Sequence, residues 1–158
     1  MEHFHGGDPF CSYTFAGEAT ALAACKATLR ILQETDALEN LARQGRALGE
    51  GLSALFREYA LPVELWGNFA RLSLRWKSED SLITDDALKT LWLAENIRRG
   101  ILHGSGVIFP MTCWTEFLVE EILRAANETC FIIREAIDSN DFLSYIPCDI
   151  ISNVFSVR

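Results

Sequence analysis

The chain has 158 residues, of which 49% are hydrophobic and 23% are charged, and its net charge at pH 7 is −8. This composition is typical of a globular protein with one sizeable core. The acidic balance excludes nucleic acid as a partner, because a phosphate backbone needs clustered lysine and arginine, and no segment has the roughly 20 consecutive apolar residues that cross a membrane.

The amino-terminal segment and the cysteines predict a cytoplasmic protein. The first ten residues lack the basic and continuously apolar regions of a secretory signal peptide. The five cysteines are scattered and form no C-x-x-C pair, which predicts neither a disulfide framework nor a zinc site. Cys25 and Cys130 fall on apolar helix stripes and are predicted to be packed thiols. His3 and His5 are too few ligands for a closed metal site, so no metal is expected.

Two helices are predicted first. One spans 17–33, and its many alanines leave a slim surface that suits a connector. The next begins near Asp36, and Gly45, Gly49 and Gly51 weaken it by roughly 1 kcal/mol each relative to alanine. We therefore expect tertiary packing to hold this second helix in place. Its apolar stripe consists of Leu38, Leu41, Leu48, Leu52, Leu55, Phe56 and Tyr59.

The centre of the chain mixes strands with helices. Residues 63–66 predict a short strand, and 69–76 predict a second one that places Leu72, Leu74 and Trp76 on a buried face. Thr84 then caps a helix that runs to about 99, with its apolar side at Leu88, Leu91, Trp92 and Ala94 or Glu95. A strand at 107–109 follows, and Thr115 opens a last helix to Asp138. This order predicts an α+β domain with helices on a small, mostly antiparallel sheet. Trp66, Trp76, Trp92 and Trp114 are predicted core or interface anchors.

A small, hydroxyl-rich loop precedes the first helix. Ser12 and Thr14 stand just before the backbone N–H groups of a helix start, which are unpaired and attract anions. These residue types are equally typical of an ordinary helix cap. The pattern is therefore compatible with a phosphate site without requiring one.

Two longer motifs carry a family resemblance. Thr14 is followed by Phe-Ala-Gly-Glu and the alanine-rich helix, and 91–101 reads LWLAENIRRGI. In this order and spacing the chain, from Phe4 to Ile137, resembles the carboxy-terminal part of the fold-type I, pyridoxal-phosphate (PLP) dependent class III aminotransferases, and most closely the glutamate-1-semialdehyde 2,1-aminomutase-like branch. Ala16 departs from the glycine that the family more often has.

The resemblance implies a fold, a reaction and a partner. It implies the small domain of a fold-type I transferase, with 1–16 as a remnant of the phosphate loop, 17–34 as a connecting helix, 35–138 as the domain and 139–158 as a tail outside the resemblance. It also implies amino-group transfer with a small-molecule donor or acceptor. Thr14, with Ser12 as a weaker candidate, would contact the PLP phosphate across the interface of a homodimer or of a pair with a full-length homologue.

The lysine that binds the cofactor in this family has no counterpart here. Lys26, Lys77 and Lys89 are the three lysines, and none precedes a glycine-rich run, so each is predicted to be a solvated surface charge. The chain is therefore expected to bind PLP weakly or not at all and not to be catalytic alone. The alternatives are a non-catalytic interaction module and a vestigial product of an interrupted or shifted reading frame.

The loop at 103–106 is the last candidate site. By the resemblance, His103 lies where the family carries loop residues near the substrate entrance. A lone loop histidine is also typical of a surface group or a local hydrogen-bonding partner. Ser105 and Gly106 look like a phosphate loop, but two residues without a following helix are a weak signal.

Overall fold

A computed structural model describes residues 17–78, 82–104 and 106–151. The chain divides between Ala37 and Leu38 into two units. In the first, helix α1 (Ala19–Glu34) starts where the Glu18 carboxylate accepts a hydrogen bond from the Ala21 N–H at 3.1 Å. This confirms the first predicted helix. Cys25 is exposed, so the prediction of a packed thiol there is wrong, because α1 has no second described element within its unit to pack on.

The second unit contains the sheet and the remaining helices. Its elements are α2 (Ala37–Glu58), β1 (Val63–Asn68), β2 (Arg71–Trp76), α3 (Asp85–Arg98), β3 (Val107–Ile108), α4 (Glu116–Asp138) and a 3-10 helix (Phe142–Tyr145). The three strands form an antiparallel sheet in the order β1-β2-β3. The structure thus confirms an α+β fold, with helices packed on a small antiparallel sheet after a long helix.

The sheet has one buried and one exposed face. On β2, Leu72, Leu74 and Trp76 are buried in the core, as the alternating sequence predicts. Trp66 pairs with Ser73 on the opposite face and is 52% exposed, with the Arg75 guanidinium 4.5 Å from its ring centroid. Trp66 is therefore not a core residue, whereas the other three tryptophans are buried.

Glycines let α2 pack closely against the hairpin of β1 and β2. A Cβ atom placed on Gly45 would lie 1.9 Å from the Phe69 carbonyl oxygen. Leu48, Leu52 and Phe56, further along α2, are buried in the core. Tertiary packing therefore holds this glycine-weakened helix. Leu38 is 52% exposed, so the prediction that it belongs to the apolar stripe is wrong. It lies in the first turn of α2, before the first buried position of that helix.

Threonine caps start the two helices that complete the core. Thr84 Oγ1 accepts from the Ala87 N–H at 3.1 Å, and Thr115 Oγ1 accepts from the Leu118 N–H at 3.2 Å. Both helix starts were predicted from these threonines. Cys130 is fully buried on α4, and burial raises the pKa of its thiol to about 12, which makes it an inert packing residue.

The segment after α4 packs on the same unit. Phe142 is buried in the core, and the Ile151 N–H donates to Thr90 Oγ1 at 3.0 Å on α3. Among the residues that the structure describes, no helix has an apolar run long enough to cross a bilayer.

Candidate functional site

The best candidate site is a cavity of about 360 Å³ beside the end of α3. We call it the His103 cavity. Trp92 and Asn96 contribute from α3, His103 from the loop that follows, and Trp114 from the residues just before α4. Among the described residues, no aspartate, glutamate, lysine or arginine lines it. Its volume and mainly apolar lining are those of a small-ligand pocket.

The sequence builds this cavity by ending α3 with glycine. Gly100 has a φ of +80°, its N–H donates to the Ile97 carbonyl at 2.9 Å, and the Ile101 N–H donates to the Asn96 carbonyl at 2.9 Å. These two bonds form a Schellman motif, which reverses the chain at a helix end. The reversal brings His103 back beside Trp92, which lies nearly two turns before the end of α3.

His103 is held in one neutral form. The Trp92 indole N–H donates to His103 Nε2 at 3.0 Å, and His103 Nδ1 lies 2.8 Å from the Gly104 carbonyl oxygen. An indole nitrogen can only donate, so Nε2 accepts and Nδ1 carries the proton that it donates to Gly104. Burial lowers the pKa of His103. The structure thus makes His103 a local hydrogen-bonding partner, which is one of the two ordinary roles expected of a lone loop histidine.

Lowering the pH is expected to destabilise the protein through His103. Unfolded histidine protonates near pH 6.5, whereas burial holds the folded pKa lower. Between the two values the unfolded state binds more protons. The contribution of His103 to the free energy of unfolding is therefore complete above about pH 6.5. It decreases at lower pH, by at most about 1.4 kcal/mol per pH unit. Urea unfolding from about pH 7 to pH 5 measures this slope.

His103→Gln is the matched control for that measurement. The glutamine amide oxygen can accept from Trp92 but does not titrate, so the variant is expected to lose part of the pH dependence. Identical slopes for the two proteins would contradict this role for His103.

The described lining of the cavity suits the binding of an apolar group. Two of its polar side chains already have partners, since Asn96 Nδ2 donates to the Trp92 carbonyl at 2.8 Å and His103 is engaged on both nitrogens. The part of the chain that the structure describes holds no cluster of three or more His, Cys, Asp or Glu that could bind a metal. The arrangement is therefore an apolar receptor rather than an acid–base site.

The three lysines lie outside the His103 cavity. Lys77 lines a second cavity of about 460 Å³, where its Nζ lies 2.6 Å from Glu64 Oε1, and Arg134 also lines this cavity. Lys26 lies on exposed α1. Only 14% of the Lys89 side chain is exposed, with Nζ 3.8 Å from Asp86 Oδ1. The prediction of a solvated surface charge is therefore wrong there, since Lys89 stands between the buried Leu88 and Thr90 on α3.

Comparison with known proteins gives an informative structural likeness. No family model and no curated protein sequence matches the chain. The solved PLP internal aldimine form of the FumI protein of Sphingopyxis sp. MTA144 matches with a TM-score of 0.68 and 25% sequence identity. The match covers 84% of this chain and 31% of FumI, so the chain spans about a third of that protein. The fold is that of part of a PLP protein.

None of the three lysines faces the His103 cavity, and Lys77, beside the other cavity, is ion-paired with Glu64. Ser12 and Thr14, the predicted phosphate contacts, lie outside the described residues. Their role stays a prediction.

The sequence indicates several residues of the His103 cavity individually, but it does not show that they enclose a cavity. His103, Trp92 and Trp114 were singled out separately, and Asn96 was missed. The available signal was the glycine stop at Gly100, which predicts that the following loop folds back along α3.

Proposed function

We propose that this chain is the carboxy-terminal part of a PLP-dependent aminotransferase or aminomutase of class III, similar to glutamate-1-semialdehyde 2,1-aminomutase. The likeness of 84% of the chain to about a third of FumI carries the proposal, together with the motif that begins at Thr14. PLP, when bound, supplies the electron sink for amino-group transfer. The substrates would be a small-molecule amino donor and acceptor, and the protein would work in the cytoplasm.

In this proposal the chain supports a cofactor site without completing it. Thr14, aided by Ser12, would donate to the cofactor phosphate across a subunit interface, in a homodimer or in a pair with a full-length homologue. The loop at 100–104 would form a rigid apolar wall, because the Gly100 turn and the bond from Trp92 to His103 fix it. The cofactor lysine would come from polypeptide outside these 158 residues, so the chain would not be catalytic alone.

Sequencing the DNA upstream of the coding region tests this parentage. We expect a lysine followed by a glycine-rich run, in frame or one frame away. A polypeptide that joins both parts is then expected to bind PLP and to transfer amino groups. An upstream region with no such motif in any frame would argue against the proposal, as would a joined polypeptide that binds PLP and transfers no amino group.

A further inference from the structure

The first strand of the sheet has an open edge. β1 pairs with β2 along one side, and no strand among the described residues pairs with its other side. Such an edge is a template for a further strand unless lysine, proline, another charge or a bulge protects it. β1 reads VELWGN and pairs with β2 residue for residue, and its one charge, Glu64, is ion-paired with Lys77. The edge can therefore accept another strand.

The register shows that the main chain of Leu65 lies on the open edge. Leu65 stands opposite Leu74, whose N–H donates away from β1, to the Gly106 carbonyl at 2.8 Å. The Lys77 N–H donates to the Pro62 carbonyl, and hydrogen-bonded pairs alternate along an antiparallel ladder. The N–H and C=O of Leu65 thus face away from β2, and neither has a hydrogen-bond partner within the described ranges. A neighbouring strand would satisfy both groups.

A groove runs along this edge, between β1 and α2. Two adjoining hollows of about 460 and 310 Å³ share Ser53, Arg57 and Leu65, and together they follow β1 over its whole length. When a peptide adds to a sheet edge, main-chain bonds provide affinity, and hollows of this kind receive alternate side chains. The groove therefore offers space beside α2 for the side chains of an added strand.

Two arginines of α2 line the groove without acidic partners. Arg46 Nε donates to the Ala42 carbonyl at 3.2 Å, and Arg57 Nε donates to the Ser53 carbonyl at 3.1 Å. Neither arginine forms an ion pair with any residue that the structure describes. These bonds to the helix main chain hold both side chains in place and leave their terminal N–H groups available to a carboxylate.

The solvent face of the edge is cationic as well. The Arg75 guanidinium lies 4.5 Å from the ring centroid of Trp66 and has no ion-pair partner in the described part of the chain. Of the nearby carboxylates, Glu64 is bound by Lys77, and Glu50 lines the groove. Three unpaired arginines thus face one further carboxylate, although the chain carries a net charge of −8. The local charge is opposite to that of the whole chain and favours an acidic partner.

We propose that an acidic, extended polypeptide segment from outside this chain adds to the open edge of β1. Its main chain pairs with Leu65. Its carboxylates contact Arg46 and Arg57 on one face and Arg75 on the other, since a planar guanidinium binds a carboxylate through two parallel N–H bonds. This interaction goes beyond the proposed function, because strand addition requires neither PLP nor Thr14.

A capped, fluorescein-labelled peptide of sequence Glu-Val-Glu-Thr-Glu-Val-Glu tests the proposal by fluorescence anisotropy with the whole chain. We expect saturable binding that weakens as salt is added. The peptide with glutamine in place of glutamate is expected to bind at least about tenfold more weakly. A third peptide has proline in place of valine and threonine. It keeps every carboxylate but cannot pair as a strand, and we expect a loss of about tenfold or more.

Variants of the chain locate the contact. Arg46→Gln and Arg57→Gln are each expected to raise the dissociation constant about threefold, and about tenfold together. Arg124→Gln is the matched control, because Arg124 is an exposed arginine that does not line the groove, and we expect a change of less than about twofold. Circular dichroism shows whether each variant keeps the fold.

Amide hydrogen exchange measured by NMR gives a second readout. The Leu65 N–H is expected to exchange about tenfold or more slowly with the peptide bound, because strand pairing gives it an acceptor. A purely electrostatic contact would leave this exchange rate unchanged.

Four results would overturn the proposal. The first is no binding at millimolar peptide, and the second is equal binding of the glutamate and glutamine peptides. The third is strand-independent binding, seen as an equally tight proline peptide or unchanged exchange at Leu65. The last is tighter binding of a short oligothymidine than of the glutamate peptide, which would make a nucleic acid the occupant.

Discussion

Gly45→Ala is expected to lower the free energy of unfolding by about 2–4 kcal/mol. The added Cβ would lie 1.9 Å from the Phe69 carbonyl oxygen and 2.8 Å from its carbon, and both are backbone atoms that cannot rotate away. The helix or the hairpin must therefore shift. The gain of about 1 kcal/mol in helix propensity does not offset this strain. Urea unfolding followed by circular dichroism measures the change.

Gly49→Ala, one turn further along α2, provides the control. Its Cβ would lie 3.5 Å from Leu72 Cδ2, which is ordinary contact with a side chain. We expect a change within about 1 kcal/mol, in the stabilising direction that helix propensity favours. Equal effects of the two substitutions would show that α2 does not approach the hairpin through Gly45.

Arg99→Met is expected to lower the free energy of unfolding by about 2 kcal/mol. Arg99 contacts the buried carboxylate of Glu95 at 2.7 Å and reaches Glu128 on α4 at 2.9 Å. Its loss removes this link between α3 and α4 and leaves Glu95, whose side chain is 5% exposed, with Arg98 as its remaining ion-pair partner among the described residues. The side chain of Arg99 is 21% exposed, so we place the cost below that of a fully buried pair.

Arg124→Met separates this effect from surface electrostatics. Arg124 also pairs with Glu128, at 3.1 Å, but its side chain is 62% exposed. Solvent screens such a pair, and the expected loss is small beside that of Arg99→Met. Thermal unfolding of both variants at low and high salt measures the difference. An equal loss for both would contradict the special role of the buried Glu95 carboxylate.

Local chemistry made most helices and strands predictable. Thr84 and Thr115 supply side-chain caps, and the alternation through Leu72 and Leu74 marks a strand with one buried face. Trp66 was not predictable in this way, because its face of the sheet follows from its pairing with Ser73 rather than from its own hydrophobicity. The burial of Lys89 likewise depends on tertiary neighbours.

The candidate site was predictable only in parts. Its members come from α3, the following loop and α4, and sequence spacing does not show that they enclose one cavity. Gly45 illustrates the same difficulty. The sequence shows that this glycine weakens the helix, but it does not show that the nearby Phe69 carbonyl leaves no room for a larger residue. The family resemblance extended further, since it implied the PLP-related fold that the likeness to FumI supports.

The chain has the fold of part of a PLP enzyme, and we propose that it lacks the lysine that holds the cofactor. Incubation of the whole chain with PLP, reduction with borohydride and peptide mass spectrometry test it most directly. We expect no stoichiometric adduct on Lys26, Lys77 or Lys89. Stoichiometric labelling of one lysine, in particular Lys77 beside its cavity, would contradict this proposal. The contradiction requires that the label is lost in Lys77→Arg and that the unmodified chain shows amino-transfer turnover.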